Sequence, residues 1–258
     1  MENKNLPPER QEPFPEAQRL GEVPSLHRSD SLYPSAMSLL VSFLDPATVS
    51  LKICGVTTRE DAEQLVVMGV DALGVNFWPQ SKRYLAPRDA GWLRNLAGRI
   101  LRVGVFVNEP SALPLRLVRE GYLDVVQLHG DETPADAAPF RDAEIPLIKA
   151  IGVKTLADLT QATAYGAAGI LLDAHAPGLY GGTGEVFDWE VASGFRRAHP
   201  LLPVILAGGI IPENAGLAAM SVRPAALDIA SGAEISPGIK DFTKVAAFLT
   251  ALHRRVSC

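Results

Sequence analysis

From about residue 50 onward, short runs of apolar, β-branched residues alternate with stretches in which apolar positions recur every three or four residues. Period-two segments of four to seven residues read as strands, and period-3.6 segments read as helices. The pattern predicts strands near 50–54, 72–77, 101–107, 124–129, 145–151, 168–173, 203–208 and 225–230. Helices are expected near 58–68, 87–97, 110–120, 133–140, 155–165, 188–198, 212–219 and 241–253. Strictly alternating strands and helices imply parallel pairing, and eight such units are the number that closes a barrel. The expected fold class is therefore α/β, a single eight-stranded parallel (β/α)8 barrel spanning 37–258.

Helix-entry residues agree with this division. Thr57 or Thr58 can cap the helix that begins Arg59-Glu60-Asp61, and the Thr57–Glu60 spacing suits a capping box. Pro87, Pro110, Pro134 and Pro212 stand where a first-turn proline is tolerated. Residues 1–36 have neither period, and their Pro, Glu, Gln, Ser and Arg content reads as a disordered tail, with Met37 an alternative start.

Side chains alternate across a strand, so the apolar set of each strand identifies its helix-facing side. Leu51 and Ile53 turn outward and leave Lys52 and Cys54 inward; Val126 and Leu128 likewise leave Gln127 and His129 inward. By the same rule Gly74, Asn76, Asp173 and Asp228 face the interior. A barrel interior built only for stability would hold Val, Ile and Leu there. Unpaired buried polar groups cost about 1–3 kcal/mol each, so this cluster signals mutual pairing or a site. Lys52 is expected to pair with Asp228. Cys54, His129 and Asp173 end their strands, at the mouth where barrel chemistry takes place. They come without the ligand-pair spacing of a metal centre, and no metal is expected.

Two glycine turns, Ala207-Gly208-Gly209-Ile210 and Ala230-Ser231-Gly232-Ala233, follow the seventh and eighth strands. That is where barrels bind phosphate, and glycine lets backbone N–H groups approach an anion closely. The loop Gly178-Leu-Tyr-Gly-Gly-Thr-Gly184 reads as a flexible cover and, lacking a following Lys-Ser or Lys-Thr, is not a P-loop.

Composition narrows the class further. A net charge of −5 gives no electrostatic case for nucleic acid, and 47% hydrophobic content fills a sizeable core. The run Met37–Leu44 is too short to span a bilayer, so no membrane partner is expected. Two cysteines, Cys54 and Cys258, make no disulfide framework and suit a cytoplasmic protein. A monomer or a homodimer is the expected assembly.

The motifs as a set resemble the phosphoribosylanthranilate isomerase family of tryptophan biosynthesis. Those carrying the resemblance include Lys52-Ile-Cys-Gly-Val-Thr57, Gly74-Val-Asn-Phe-Trp-Pro-Gln-Ser-Lys-Arg-Tyr84, Val103-Gly-Val-Phe-Val-Asn108 and Val126-Gln-Leu-His-Gly130. They continue through Leu171-Leu-Asp173, Gly181–Trp189, Leu206–Asn214, Leu227–Glu234 and Pro237-Gly-Ile-Lys-Asp241, in order over about 50–253. The resemblance implies a TIM barrel and a cofactor-free Amadori rearrangement of a sugar-phosphate substrate. It assigns Cys54 as base, Asp173 as acid and Arg83 as the partner of the anthranilate carboxylate. It further implies that His129 lines the pocket and that Gly208, Gly209, Ser231 and Gly232 hold phosphate. Read from the residues alone, Arg83 could instead be a solvated arginine beside Lys82, and His129 a satisfied core residue. Two other functions compete. The related histidine-pathway aminoaldose isomerase would be expected to place an aspartate where this chain has Cys54. A non-catalytic phosphate-binding barrel would have lost the acid or the base.

Overall fold

The computed structural model describes residues 35–174 and 189–253. The expected tail up to residue 34, the glycine-rich loop 178–184 and Cys258 lie outside the described residues. Eight parallel strands form a closed barrel in sequential order: β1 (Ser50–Cys54), β2 (Ala72–Asn76), β3 (Leu101–Phe106), β4 (Val125–Leu128), β5 (Leu147–Val153), β6 (Gly169–Ala174), β7 (Val204–Leu206) and β8 (Ala226–Ile229). All eight expected strands are present, and β1 closes the ring on β8, with Lys52 level with Asp228. The inward and outward assignments also hold. Leu51, Ile53, Leu73, Val75, Val126, Leu128, Leu172, Leu227 and Ile229 all join the core between strands and helices.

The helical layer differs from expectation in instructive places. Of the expected helices, five form as α2 (Arg59–Val67), α3 (Ala112–Arg119), α5 (Trp189–Ala198), α6 (Pro212–Val222) and α7 (Phe242–His253), after an α1 described below. The region expected as helix 87–97 is instead two 3₁₀ segments, Pro87–Asp89 and Gly91–Leu96, and 155–165 is likewise Leu156–Leu159 and Ala162–Tyr165. Apolar spacing of three serves a 3₁₀ turn as well as an α-helix, and Gly91 or the β-branched Thr160 and Thr163 weaken longer helices. The fourth helix, expected at 133–140, is a short α4 at Ala138–Asp142. Pro87 and Pro212 open their segments as expected, whereas Pro110 precedes the Ser111 N-cap and Pro134 lies ahead of α4, whose own early proline is Pro139.

The capping box at Thr57 does not form. Thr58 is the N-cap, accepting from the Asp61 N–H at 3.2 Å, while the Thr57 hydroxyl donates to the Gly238 carbonyl at 2.9 Å. That second bond ties the first loop to a small antiparallel hairpin after β8, formed by β9 (Glu234–Ser236) and β10 (Ile239–Lys240).

The run Met37–Leu44 supplies most of α1 (Ala36–Phe43), capped by Ser35, so this helix starts just before the boundary expected at 37. Leu40, Phe43 and Leu44 are buried in one cluster with inward residues of the strands, among them Leu101, Val103, Ile148, Leu171 and Ile205. Leu44 reaches Gly169, the first residue of β6, where a Cβ would stand 3.3 Å from its methyl group. These contacts place α1 across the N-terminal end of the barrel, where it completes the apolar half of the interior.

Candidate active site

The opposite half of the interior is polar. On β1, Lys52 is fully buried and its Nζ pairs with Asp228 Oδ1 on β8 at 2.8 Å, as expected. Burial pulls the Lys52 ammonium pKa down, but the charges of Asp228 and Cys54 outweigh it and hold the pKa above the ordinary value. Cys54 sits one inward position higher. Space for both is left by Gly74 on β2, where a Cβ would fall 2.7 Å from Cys54 Sγ and 2.8 Å from Lys52 Nζ. A side chain at that position would displace the thiol.

The Cys54 thiol is pushed above its ordinary pKa, first by burial and then by the nearby Asp228 charge, against the opposing pull of Lys52 and Lys240. Two cations that would favour a thiolate are thus at hand, but burial and Asp228 outweigh them.

Arg83 is neither a solvated surface residue nor a free fork. Its Nε lies 2.8 Å and 3.0 Å from the two Glu234 carboxylate oxygens, and its Nη2 lies 2.6 Å from Oε2. This bond raises the guanidinium pKa further. The side chain lies over Gly55, whose positive φ of 73° suits glycine and where a Cβ would overlap Arg83 Cδ. Glu234 also accepts from Lys240 Nζ at 2.7 Å and from the Gly238 N–H at 3.1 Å. Burial works to raise its pKa, but Arg83 and Lys240 together hold its carboxyl below the ordinary range. Lys240 is itself lowered, chiefly by burial, and donates to the Cys54 carbonyl.

Glu234 and Lys240 were given no role from sequence, although both lie inside the quoted motifs. The Ile235-Ser-Pro-Gly-Ile239 turn between them is the signal that brings them together.

Across the mouth, His129 follows β4 and Asp173 belongs to β6. Their nearest approach is 3.4 Å, from Nε2 to Oδ2. On its other side the His129 ring meets Gln127, with Nδ1 2.8 Å from the amide Nε2. Between the acid on β6 and the thiol on β1, the ring of strands contains only β7 and β8. The Gly208-Gly209 and Ser231-Gly232 turns follow these two strands. Gly208 and Gly209 have φ of 84° and 62°, a conformation that favours glycine. Asn214 fastens the first turn by donating to the Gly209 carbonyl at 3.0 Å and accepting from the Ile211 N–H at 2.9 Å. The two turns touch, since a Cβ on Gly232 would collide with the Ile210 carbonyl. Every expected site residue therefore lies at one end of the barrel. Among the described residues no group of three or more His, Cys, Asp or Glu has the arrangement of a metal site, and no helix is long and apolar enough to cross a membrane.

Comparison with known proteins gives this geometry a family. The model of N-(5'-phosphoribosyl)anthranilate (PRA) isomerase matches residues 51–251. A curated N-(5'-phosphoribosyl)anthranilate isomerase from Trichlorobacter lovleyi is 42% identical over 203 residues, 78% of this chain and 96% of the relative. The crystal structure of phosphoribosyl anthranilate isomerase from Thermotoga maritima aligns with a TM-score of 0.73 and 38% identity, over 80% of this chain and all of that one. A phosphoribosyl anthranilate isomerase in complex with reduced 1-(o-carboxyphenylamino)-1-deoxyribulose 5-phosphate aligns at 37% identity and a TM-score of 0.69, over 80% of this chain and 100% of that one. Helix α1 precedes the matched region. With the family model matched over most of the chain and curated relatives above 40% identical, the chain belongs to the N-(5'-phosphoribosyl)anthranilate isomerase family.

Proposed function

We propose that the barrel mouth rearranges N-(5-phosphoribosyl)anthranilate to 1-(2-carboxyphenylamino)-1-deoxyribulose 5-phosphate, with Asp173 as acid and Cys54 as base. The observation that carries this reading is the placement of the two groups at the ends of β6 and β1, with the paired glycine turns between them. Asp173 gives a proton to the furanose oxygen, and the ring opens to a protonated Schiff base. Cys54 as thiolate removes the proton from C2, and the electron pair moves toward the nitrogen to leave an enolamine. Return of a proton to C1 and loss of one from the C2 hydroxyl give the ketone. Atoms balance without an oxidant or reductant, so the site residues need only move protons.

A raised thiol pKa fits this duty in one respect: the thiolate is scarce at neutral pH but strongly basic once formed. Gly208, Gly209, Ser231 and Gly232 are assigned to the phosphate, and His129 to the pocket wall. Arg83 is assigned to the anthranilate carboxylate, through guanidinium N–H groups that Glu234 leaves unused. A compact protein confined to the cytoplasm, as monomer or homodimer, completes the proposal.

The test is direct. Freshly prepared N-(5-phosphoribosyl)anthranilate should lose its anthranilate-type fluorescence when the protein is added. Folded protein that leaves this substrate unchanged but converts the histidine-pathway aminoaldose would overturn the assignment, and inertness toward both would favour a non-catalytic barrel.

A further inference from the structure

Gln127 and His129 occupy successive inward positions of one strand. Gln127 is fully buried. Its amide Nε2 lies 2.8 Å from His129 Nδ1, and its Oε1 is buried with no hydrogen-bond partner among the described residues. With the amide nitrogen facing the ring, Nδ1 accepts, and a neutral imidazole then carries its hydrogen on Nε2. Nε2 faces Asp173, whose Oδ2 lies 3.4 Å away, within ion-pair reach but longer than an ordinary hydrogen bond. In a neutral ring, turning the amide round would put the hydrogen on Nδ1 and set a lone pair against the carboxylate. The arrangement adopted strands one carbonyl oxygen instead, a desolvation cost of about 1–3 kcal/mol. A barrel shaped for stability alone would have an aliphatic residue at this inward position.

We infer that Gln127 is a positioning residue for the acid. It fixes His129 as the Nε2–H tautomer, so that this N–H faces Oδ2 of Asp173 and can close on it when substrate binds, leaving Oδ1 to carry the proton that is given away. Once the proton has left, the same N–H stabilises the carboxylate that remains. The inference rests on the reading of Asp173 as acid.

The experiment combines nitrogen-15 NMR of the His129 ring with steady-state kinetics of Gln127→Met, Asp173→Asn and the double variant. Methionine keeps the volume and removes both amide groups. In the unaltered protein the ring should be protonated at Nε2. In Gln127→Met the two tautomers should mix, and kcat should fall about ten- to hundredfold, the usual cost of losing an outer orienting partner, with KM little changed. When Asp173→Asn is already present, adding Gln127→Met should cost nothing further, because it acts through the group already removed. A ring protonated at Nδ1 in the unaltered protein overturns the inference without recourse to any variant. So does an equal kcat loss with and without Asp173→Asn, which would mark a structural role. Near-normal turnover by Asp173→Asn itself would instead sink the acid assignment, a failure read separately from the tautomer.

Discussion

The two halves of the barrel interior are built from the same strands yet do opposite work. Toward the N-terminal end the inward residues are Ala72, Leu101, Val103, Val125, Ile148, Leu171, Ile205 and Ala226, closed over by Leu40, Phe43 and Leu44 of α1. Toward the mouth they are Lys52, Cys54, Gln127, His129, Asp173 and Asp228. The first half gains free energy by removing apolar surface from water. The second must offset the desolvation of each charge, which it does by pairing Lys52 with Asp228 and, beside the mouth, Arg83 and Lys240 with Glu234. Such pairs add little net stability, because Coulomb gain is largely consumed by desolvation. Apolar burial and paired charge are thus separated along the one barrel axis.

The largest expected effect would come at the polar end. Cys54→Ser and Asp173→Asn should each lower kcat by about 10²–10⁴, the usual worth of a general acid or base. Both changes nearly preserve shape, so the melting temperature should stay close to that of the parent. Turnover and a thermal melt, taken on the same sample, decide the matter. A variant that melts many degrees lower while its folded fraction turns over normally would place that residue with the stabilising half.

The converse change belongs to the apolar end. Phe43 is 1% exposed, and Phe43→Ala should cost about 3–5 kcal/mol of unfolding free energy. At a temperature where the variant is still folded, kcat and KM should be those of the parent. Urea unfolding followed beside turnover measures both, and a steep kcat loss in the folded variant would show that the two halves are coupled.

How much of this separation was legible in the sequence follows from what periodicity can report. The strands and their facings were readable because a period of two leaves no choice: if Leu51 and Ile53 pack outward, Lys52 and Cys54 cannot. The 3₁₀ segments at 87–96 and 156–165 were not distinguished from α-helix, since spacing of three suits both. Helix α1 was missed because Met37–Leu44 reads only as an apolar run, and the residues it clusters with are scattered over seven strands. The Lys52–Asp228 pair was foreseen from two inward charges on neighbouring strands. The Arg83–Glu234 pair was not, because neither residue lies inside a barrel strand, so strand facing says nothing about where they point. Only the closeness of the hairpin to the first loop, tied by Thr57, joins them.

Titration sharpens the comparison from the polar side. Burial holds the Cys54 thiol above its ordinary pKa, so little thiolate exists at neutral pH. Inactivation by iodoacetamide should therefore be slow near neutrality and keep accelerating past about pH 8.5, where an unperturbed thiol is half ionised. The sign is fixed by the direction of the shift: a raised pKa moves the rise to higher pH, and a lowered one would move it below. Following residual turnover against pH isolates Cys54 from any other thiol. Full reactivity already at neutral pH would mean that Lys52 and Lys240 prevail over burial after all.

The smallest effect tests where the apolar half begins. Ser35 caps α1 by accepting from the Ser38 N–H at 3.2 Å, one of the helix-end donors that would otherwise go unpaired. Ser35→Ala should cost about 0.5–2 kcal/mol, the range for losing an N-cap side chain. Its exposure to water puts the value toward the lower end, because the freed N–H can bind solvent. A chain starting at Met37 loses the same cap together with Ala36 and should fall by a similar amount. A chain starting at Ser35 should match the whole chain if the aperiodic segment, expected from composition to be 1–36, is dispensable up to residue 34. All three should turn over normally, since α1 touches the apolar half alone. Comparing their urea midpoints at constant slope separates the cap from the segment before it. Equal stability of the chains starting at Ser35 and Met37 would show that the cap contributes nothing and that α1 is held by Leu40, Phe43 and Leu44 alone.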